Sequence, residues 1–418
     1  MMTTCADSGR IISNNHTIIQ EIWYTCLLME IPVLAKPDID IDAVRAYRRC
    51  RVLEQMDIAD VELLVLLNPV SLRYAADWRE YPLYQSRIQV FDLFVERDGT
   101  MAMHGGYGAL PPAIATRHPS HALNSFDGGL DIETHARCFA ADVAALTTAG
   151  ARVAIEQVNP CVTRALLDRG LRVIDAEPLM EAARYVKSAE EIQCLQHSIA
   201  VAEAAIDVVQ SATEPGVTEN QLLSLLHHAN IANDGDWIDA RMLCSGPRTN
   251  PWYQMATDRE VAAGDLVAID TDMIGPFGYC ADISRTWLVG EVPTGQQCDL
   301  YRRAHAEITH NATLLEPGRT FREVSENAFE HDEEFIAHRY TCLAHGVGMS
   351  DEYPKIAYRQ DWENDGYDGE IVPNTVMSVE SFVGSDRGGP GVKLEDMYLV
   401  TSNGPMRLST YPLEETLL

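Results

Sequence analysis

The sequence predicts an α+β protein built in two unequal parts, and three observations lead there. Up to about residue 180, helix-like and strand-like stretches alternate, as in an α/β unit. Beyond it, two capped helices precede a series of hairpin-like strands with one helix among them. The length, 418 residues, exceeds what one ordinary core organises. The expected divisions are an arm over 1–38, an α/β domain over 39–184 and a larger domain over 185–418.

Each element has its own signal. Residues 1–38 lack sustained periodicity and read as an arm that must dock to become ordered. Val44, Tyr47, Val52, Leu53 and Met56 recur at helical spacing. "VELLVLLNP" is a buried strand ended by Asn68-Pro69, and "QVFDLFVERDG" is a hairpin strand turning at Asp98-Gly99. "ARCFAADVAALTTAG" is a helix stopped at Gly150, followed by strand "RVAIEQ", helix "CVTRALLDRG" and strand "LRVIDA". Ser188 and Glu191 form a capping box at the head of a helix carrying Ile192, Leu195, Ile199, Val201, Ala205 and Val208. Thr218 and Gln221 form a second box before "NQLLSLLHHANIA". The strands that follow are "LVAIDTDMI", "YCADISRTWLVG", "TVMSVESFVG" and "VKLEDMYLV".

Charge excludes some partners. With 62 Asp+Glu against 32 Lys+Arg the formal balance is −30, so neither nucleic acid nor an anionic membrane surface is expected to bind. The ten cysteines are scattered without a CxxC pair and read as reduced thiols. No signal peptide is evident and no segment reads as a membrane span, so a soluble cytoplasmic protein is expected.

Six residues stand out chemically. Asp270 and Asp272 lie two apart on a strand-like segment and should share a face. Two buried like charges side by side cost roughly several kcal/mol unless a cation neutralises them. Asp282 follows after the Gly278-Tyr279 bend, His345 lies in "AHGVG", and Glu380 and Glu395 interrupt apolar strands. Five carboxylates and one imidazole at such positions suit two divalent cations, and a site so rich in carboxylates accepts iron, manganese, zinc or nickel.

The segments "AIDTDMIGPFGYCADISRTW", "AHGVG", "VMSVES" and "GVKLEDMYLV" resemble, in order, the metal-ligand motifs of the pita-bread metallopeptidase and creatinase superfamily, and "RYVKSAEEI" resembles its interdomain linker. The resemblance covers about 40–418. It implies an N-terminal creatinase-like α/β domain, a C-terminal pita-bread catalytic domain and a homodimer. The departures from the peptidase pattern carry the functional reading. Asp282 lies twelve residues after Asp270 and ten after Asp272, whereas the peptidases use eleven, so the division of the metals between that pair stays open. No histidine occurs between His228 and Asp270, and the position seven after His345 is Glu352, so both substrate-binding histidines of the peptidases are missing.

"GDWIDARMLCSGPRTNPWYQ" and "AHGVGMSDEYPKIAYR" are most similar to the dimethylsulfoniopropionate (DMSP) lyases of the DddP type. That resemblance implies cleavage of this small zwitterion to dimethyl sulfide and acrylate. It also implies Asp270, Asp272, Asp282, His345, Glu380 and Glu395 as ligands of a dinuclear site, often iron, with Asp351 as the base. A sulfonium cation is attracted to aromatic faces, which makes Trp252, Tyr253, Tyr340 and Tyr353 candidates. Tyr84 stands about where the family's N-terminal domain has a tryptophan and is expected to help cover the partner subunit's pocket. Two other readings remain: a dinuclear hydrolase of the aminopeptidase P or prolidase type, and a non-catalytic pita-bread binding module.

Overall fold

The structure is a computed structural model that describes residues 31–290 and 292–418. Most of the expected arm, with Cys5 and Cys26, lies outside the described residues. The eight described cysteines are all free.

The first helix, α1 (Ile41–Ile58), is capped by Asp40, whose side chain accepts from the Ala43 N–H. Its buried residues Val44, Arg48, Val52 and Met56 recur every fourth position and form one stripe. β1 (Leu63–Leu66) is buried throughout and lies inside a six-stranded sheet ordered β4-β3-β2-β1-β5-β6. The other strands are β2 (Asp92–Glu96), β3 (Met101–His104), β4 (Thr116–His118), β5 (Arg152–Ile155) and β6 (Arg172–Asp175). β1 pairs antiparallel with β2 and parallel with β5. Alternate β1 side chains face opposite ways, which explains why every one is apolar. Leu63 and Val65 join a core with Phe139 and Val143 of α2 (Ile132–Ala145) and Leu166 of α3 (Pro160–Asp168). Leu64 and Leu66 join the core containing Val52 of α1 and Met180 of α4 (Glu177–Tyr185).

Both expected capping boxes are present. Ser188 and Glu191 open α5 (Ala189–Ser211), and Thr218 and Gln221 open α6 (Glu219–Ala232), the two helices packing together. One expectation needs correcting: α5 is long and apolar enough to cross a membrane. Its apolar residues serve a core instead, with Leu195, Ile199, Ala202 and Ile206 buried beside Ile274, Tyr279 and Ile283.

The remaining strands form three sheets. β7 (Trp237–Ile238), β10 (Met273–Ile274) and β11 (Cys280–Ala281) make one, and β8 (Leu243–Ser245), β9 (Leu266–Asp270) and β12 (Ser284–Leu288) another. The largest is antiparallel, ordered β14-β13-β15-β16-β17, from β13 (Ala344–Val347), β14 (Asp351–Ile356), β15 (Val376–Gly384), β16 (Gly391–Thr401) and β17 (Gly404–Arg407). Helix α7 (Gly295–Ala312) packs on β15 and β16, setting Leu300, Ala304 and Ile308 in one core with Val383, Val392 and Leu394.

Buried polar contacts lock the two parts together. Arg48 of α1 donates to the Tyr279 hydroxyl at 3.2 Å, and Tyr279 donates to Glu191 at 2.7 Å. Glu352 of β14 pairs with Arg184 Nε at 3.0 Å and Lys187 Nζ at 3.3 Å, and all three side chains are nearly sealed from solvent. Removing one member of such a cluster leaves the others as uncompensated buried charges. Glu352→Ala should therefore destabilise the protein by about 3–5 kcal/mol, read from denaturant unfolding; a change within the error of that measurement would refute this account of the joint.

Candidate metal centre

Asp270 and Asp272 do not project from one continuous strand, contrary to the expectation from their spacing. β9 ends at Asp270, and Asp272 adopts a left-handed backbone, φ +36°, before the chain resumes as β10. The paired arm breaks at the same level, with Asp282 and Ile283 between β11 and β12. Thr271 holds the bend: its hydroxyl donates to the Ala281 carbonyl at 2.7 Å and accepts from the Ile283 N–H at 2.9 Å. A non-glycine residue at positive φ costs roughly 1–3 kcal/mol. Here the bend turns Asp270, Asp272 and Asp282 toward one point, with an atom from each within 4.8 Å of the others.

The large sheet supplies the other side. The β15–β16 register sets Glu380 directly opposite Glu395, a like-charge pair that would be destabilising by itself. His345 of β13 presents Nε2 at 3.3 Å from Asp282 and 3.5 Å from both Glu380 and Glu395. Its other nitrogen, Nδ1, lies 3.1 Å from the Gly346 carbonyl, an arrangement that orients ligating imidazoles. Ser284 and Ser378 each donate to Glu395 at 2.7 Å, and the Cys342 thiol donates to Glu380 at 3.2 Å.

All six residues expected as ligands thus converge, and the donor set fits two cations. Asp282, His345 and Glu395 form a second compact group, so Asp282 belongs to both groups. Asp270 Oδ1, Asp272 Oδ2 and Asp282 Oδ1 are buried with no hydrogen-bond partner. Unpartnered buried carboxylate oxygens are costly unless something positive meets them.

Lys393, not singled out from the sequence, is the built-in part of that answer. It is fully buried, with Nζ at 2.9 Å from Glu380, 2.8 Å from Glu395 and 3.5 Å from Asp270. Its signal was present: two residues before Glu395 on one strand, it must share that residue's face. Two divalent cations and this ammonium would balance the five carboxylates charge for charge.

The ionisation behaviour without metal follows. Burial raises Asp270 to about 6 and Glu380 to about 7, and burial also raises Asp272 and Asp282 well above the usual range. Burial works against a charged Glu395 too, but Lys393 and His345 outweigh it and hold that carboxyl well below its usual value. His345 is likewise opposed by burial, yet Asp351 and the other carboxylates hold it well above its usual value.

A cavity of about 410 Å³ opens beside the centre, lined among others by Tyr340, His345, Asp351, Tyr353 and Glu380. Asp351 Oδ1 lies 4.0 Å from His345 Nδ1, and its side chain is 54% exposed. Surrounding protein, then Glu395 and Glu352, raise the Asp351 carboxyl, a shift tempered by the water it meets. Tyr253 stacks on Tyr340 with ring centroids 5.4 Å apart. Two expected substrate contacts lie elsewhere within the chain. Trp252 is 4% exposed and stacks on Phe382 in a small apolar core. Tyr84 lines a different cavity, on the N-terminal sheet. Glu352, at the place of a peptidase histidine, turns to Arg184 and Lys187.

Comparison with known proteins agrees with this architecture. The model of metallopeptidase family M24 matches residues 193–402, and the chain belongs to that family. Solved structures share the pita-bread fold: an X-Pro aminopeptidase from Thermotoga maritima matches with TM-score 0.70 at 18% identity, covering 88% of this chain and 98% of that one. A dipeptidase PepE from Mycobacterium ulcerans matches with TM-score 0.68 at 22% identity, covering 91% and 98%. Within the family, the similarity runs to the DddP type. The dimethylsulfoniopropionate lyase DddP of Roseovarius nubinhibens is 32% identical over 92% of this chain and 89% of the relative. The protein of that name from Roseobacter denitrificans is 31% identical over 95% and 90%.

Two outcomes are expected. Glu380→Ala should lower the metal content of the purified protein, measured by elemental analysis; retention of two metals per chain would count against its role as a ligand. The second concerns pH. Carboxylates whose folded-state pKa is raised weaken the fold as pH rises from about 4 through their folded values. A raised histidine stabilises below about 6.5 and loses that contribution as pH climbs through its folded pKa. Both act in one direction, so the chelator-stripped protein should melt at a lower temperature at pH 8 than at pH 5, with a smaller fall once metal is restored. Equal slopes for stripped and loaded protein in a thermal melt would contradict this.

Proposed function

We propose that this protein is a metal-dependent carbon–sulfur lyase that cleaves dimethylsulfoniopropionate to dimethyl sulfide and acrylate. The observation that carries the reading is Asp351, a carboxylate on the rim of the metal cavity, in a chain similar over nearly its whole length to lyases of that name. The missing peptidase histidines and the engagement of Glu352 with Arg184 and Lys187 support elimination over amide hydrolysis.

When bound, divalent cations supply Lewis acidity toward a carboxylate and stabilise charge that develops next to it. The chain's own groups do the rest. Asp351 accepts the proton from the carbon next to the substrate carboxylate, its raised pKa making it a better base than an ordinary aspartate. The electron pair of that C–H bond becomes the second bond of the alkene as the carbon–sulfur bond breaks. The sulfonium leaves as neutral dimethyl sulfide. Tyr340 keeps its proton, because burial and then Glu380 disfavour the phenolate, and it can donate to the substrate carboxylate. Tyr340 already has Tyr253 stacked on it and Lys393 Nζ 4.6 Å from its ring centre, so the half-exposed Tyr253 ring is the one that offers a π-face to the sulfonium, worth about 0.5–2 kcal/mol. Iron as the metal, a homodimeric state and a cytoplasmic location belong to the same proposal.

The test is headspace gas chromatography of the metal-loaded protein with dimethylsulfoniopropionate. Dimethyl sulfide should appear, and Asp351→Ala should lower the rate by at least about 100-fold, the low end for loss of a general base, with metal content unchanged. No dimethyl sulfide together with turnover of X-Pro dipeptides would replace this reading with the prolidase one.

A further inference from the structure

The small sheet beside the metal centre carries an acid that neither the ligand set nor the proposed elimination uses. β7 and β10 pair with Ile238 opposite Met273, and β10 and β11 pair with Met273 opposite Ala281. One step along, this register brings Asp239 level with Asp272, and Asp272 level with Asp282. The first alignment holds past the strand ends, because the Asp239 N–H donates to the Asp272 carbonyl at 2.9 Å. Asp272 and Asp282 turn into the centre, whereas Asp239 is exposed at its edge.

The proposed base docks on the same sheet. The Cys280 N–H of β11 donates to the Gly348 carbonyl at 2.7 Å, in the turn that leads from β13 into Asp351. Asp239 and Asp351 stand near enough for their charges to interact. Surrounding protein pushes the Asp239 carboxyl up, the Trp237 indole N–H opposes this by donating to it, and the charge of Asp351 adds to the rise. Among the described residues no cation pairs with Asp239. Two divalent cations and Lys393 would already balance the five buried carboxylates, so Asp239 lies outside that balance. A carboxylate left over at the edge of an otherwise balanced centre favours a positive group. Trp237, half-buried beside it, adds an indole, the ring that attracts cations best.

We propose that Asp239, braced by Trp237, is a specificity-determining residue for the cationic end of the substrate, selecting onium carboxylates over uncharged carboxylates of the same shape. The inference rests on the lyase reading for the orientation of the substrate. With the substrate carboxylate toward the metals and the adjacent carbon at Asp351, the sulfur is one carbon further on and lies beside Asp351. Asp239 supplies there the formal charge that the Tyr253 ring lacks. It acts on binding rather than on bond breaking. The sulfonium loses its charge as the carbon–sulfur bond opens, so a negative neighbour holds the bound substrate more firmly than the transition state. Loss of that neighbour should raise KM and leave kcat level or higher.

The test is isothermal titration calorimetry of the full-length, metal-loaded protein with a pair of probes. One is the trimethylammonium analogue of the substrate; the other is its tert-butyl counterpart, with carbon in place of nitrogen and no positive charge. The wild type should bind the onium analogue more tightly. Asp239→Asn, which keeps an acceptor for the Trp237 N–H, should weaken that analogue by about 5-fold, the upper end for an exposed ion pair, and leave the neutral probe unchanged. Asp239→Glu, which keeps the charge, should retain part of the preference. Equal weakening of both probes, no preference in the wild type, or metal lost from Asp239→Asn in elemental analysis would each overturn the proposal. The comparison needs no turnover. Absence of dimethyl sulfide would remove the lyase reading and leave the probes to decide the subsite. Release of dimethyl sulfide with an unchanged KM in Asp239→Asn would remove the subsite and leave the lyase reading.

Discussion

Five carboxylates share one interior, and most of the catalytic half is arranged to make that tolerable. Asp270, Asp272, Asp282, Glu380 and Glu395 are each 7% exposed or less, with Lys393 and His345 as their cationic or potentially cationic ion-pair partners among the described residues. Burying charges without compensation is among the most expensive choices a fold can make. The bend at Thr271, the serines on Glu395 and the thiol on Glu380 all hold carboxylates in place. What they leave unmet, three bare carboxylate oxygens, is a demand for cations.

This demand sets the scaffold but not the reaction. The candidate ligand set is built from two strand systems, the bent hairpin β9–β12 and the large antiparallel sheet, and the match to family M24 spans both. Reaction type depends on what rims the cavity. Here Asp351 of β14 is half exposed at the cavity, while its neighbour Glu352, which also lines the cavity, is buried and pairs with Arg184 and Lys187. The alternation of a strand thus gives two adjacent acids different surroundings, one half exposed and one paired in the interior. Glu352 also ties the rim to the N-terminal half, so the geometry of Asp351 depends on the joint between the two parts.

Signals confined to a few neighbouring residues were legible. Both capping boxes need only a hydroxyl and an acid or amide three residues apart, and both are in place. The apolar run around Leu64 predicts a strand covered on both faces, which β1 is. The six ligand candidates stood out because charge at an apolar strand site has few cheap explanations. Less legible were features set by backbone direction or by distant partners. The break at Asp272 depends on hydrogen bonds from Thr271 to the other arm of the hairpin. Trp252 could not be assigned to a wall or a core without knowing that Phe382 faces it. The Asp92–His104–His118 rung exists only because of strand register.

The sequence by itself therefore predicted the main helices and strands, the capped starts of the long helices and the six residues that converge at the centre, because those follow from spacing and from the energy of burying particular groups. The tertiary structure decided which carboxylates meet, that Asp351 stays half exposed while Glu352 is buried against Arg184 and Lys187, where Lys393 places its charge, and that two histidines and an aspartate gather on the N-terminal sheet. Those outcomes depend on which strands pair and where a hairpin bends, interactions between residues tens to more than a hundred positions apart that no local pattern encodes.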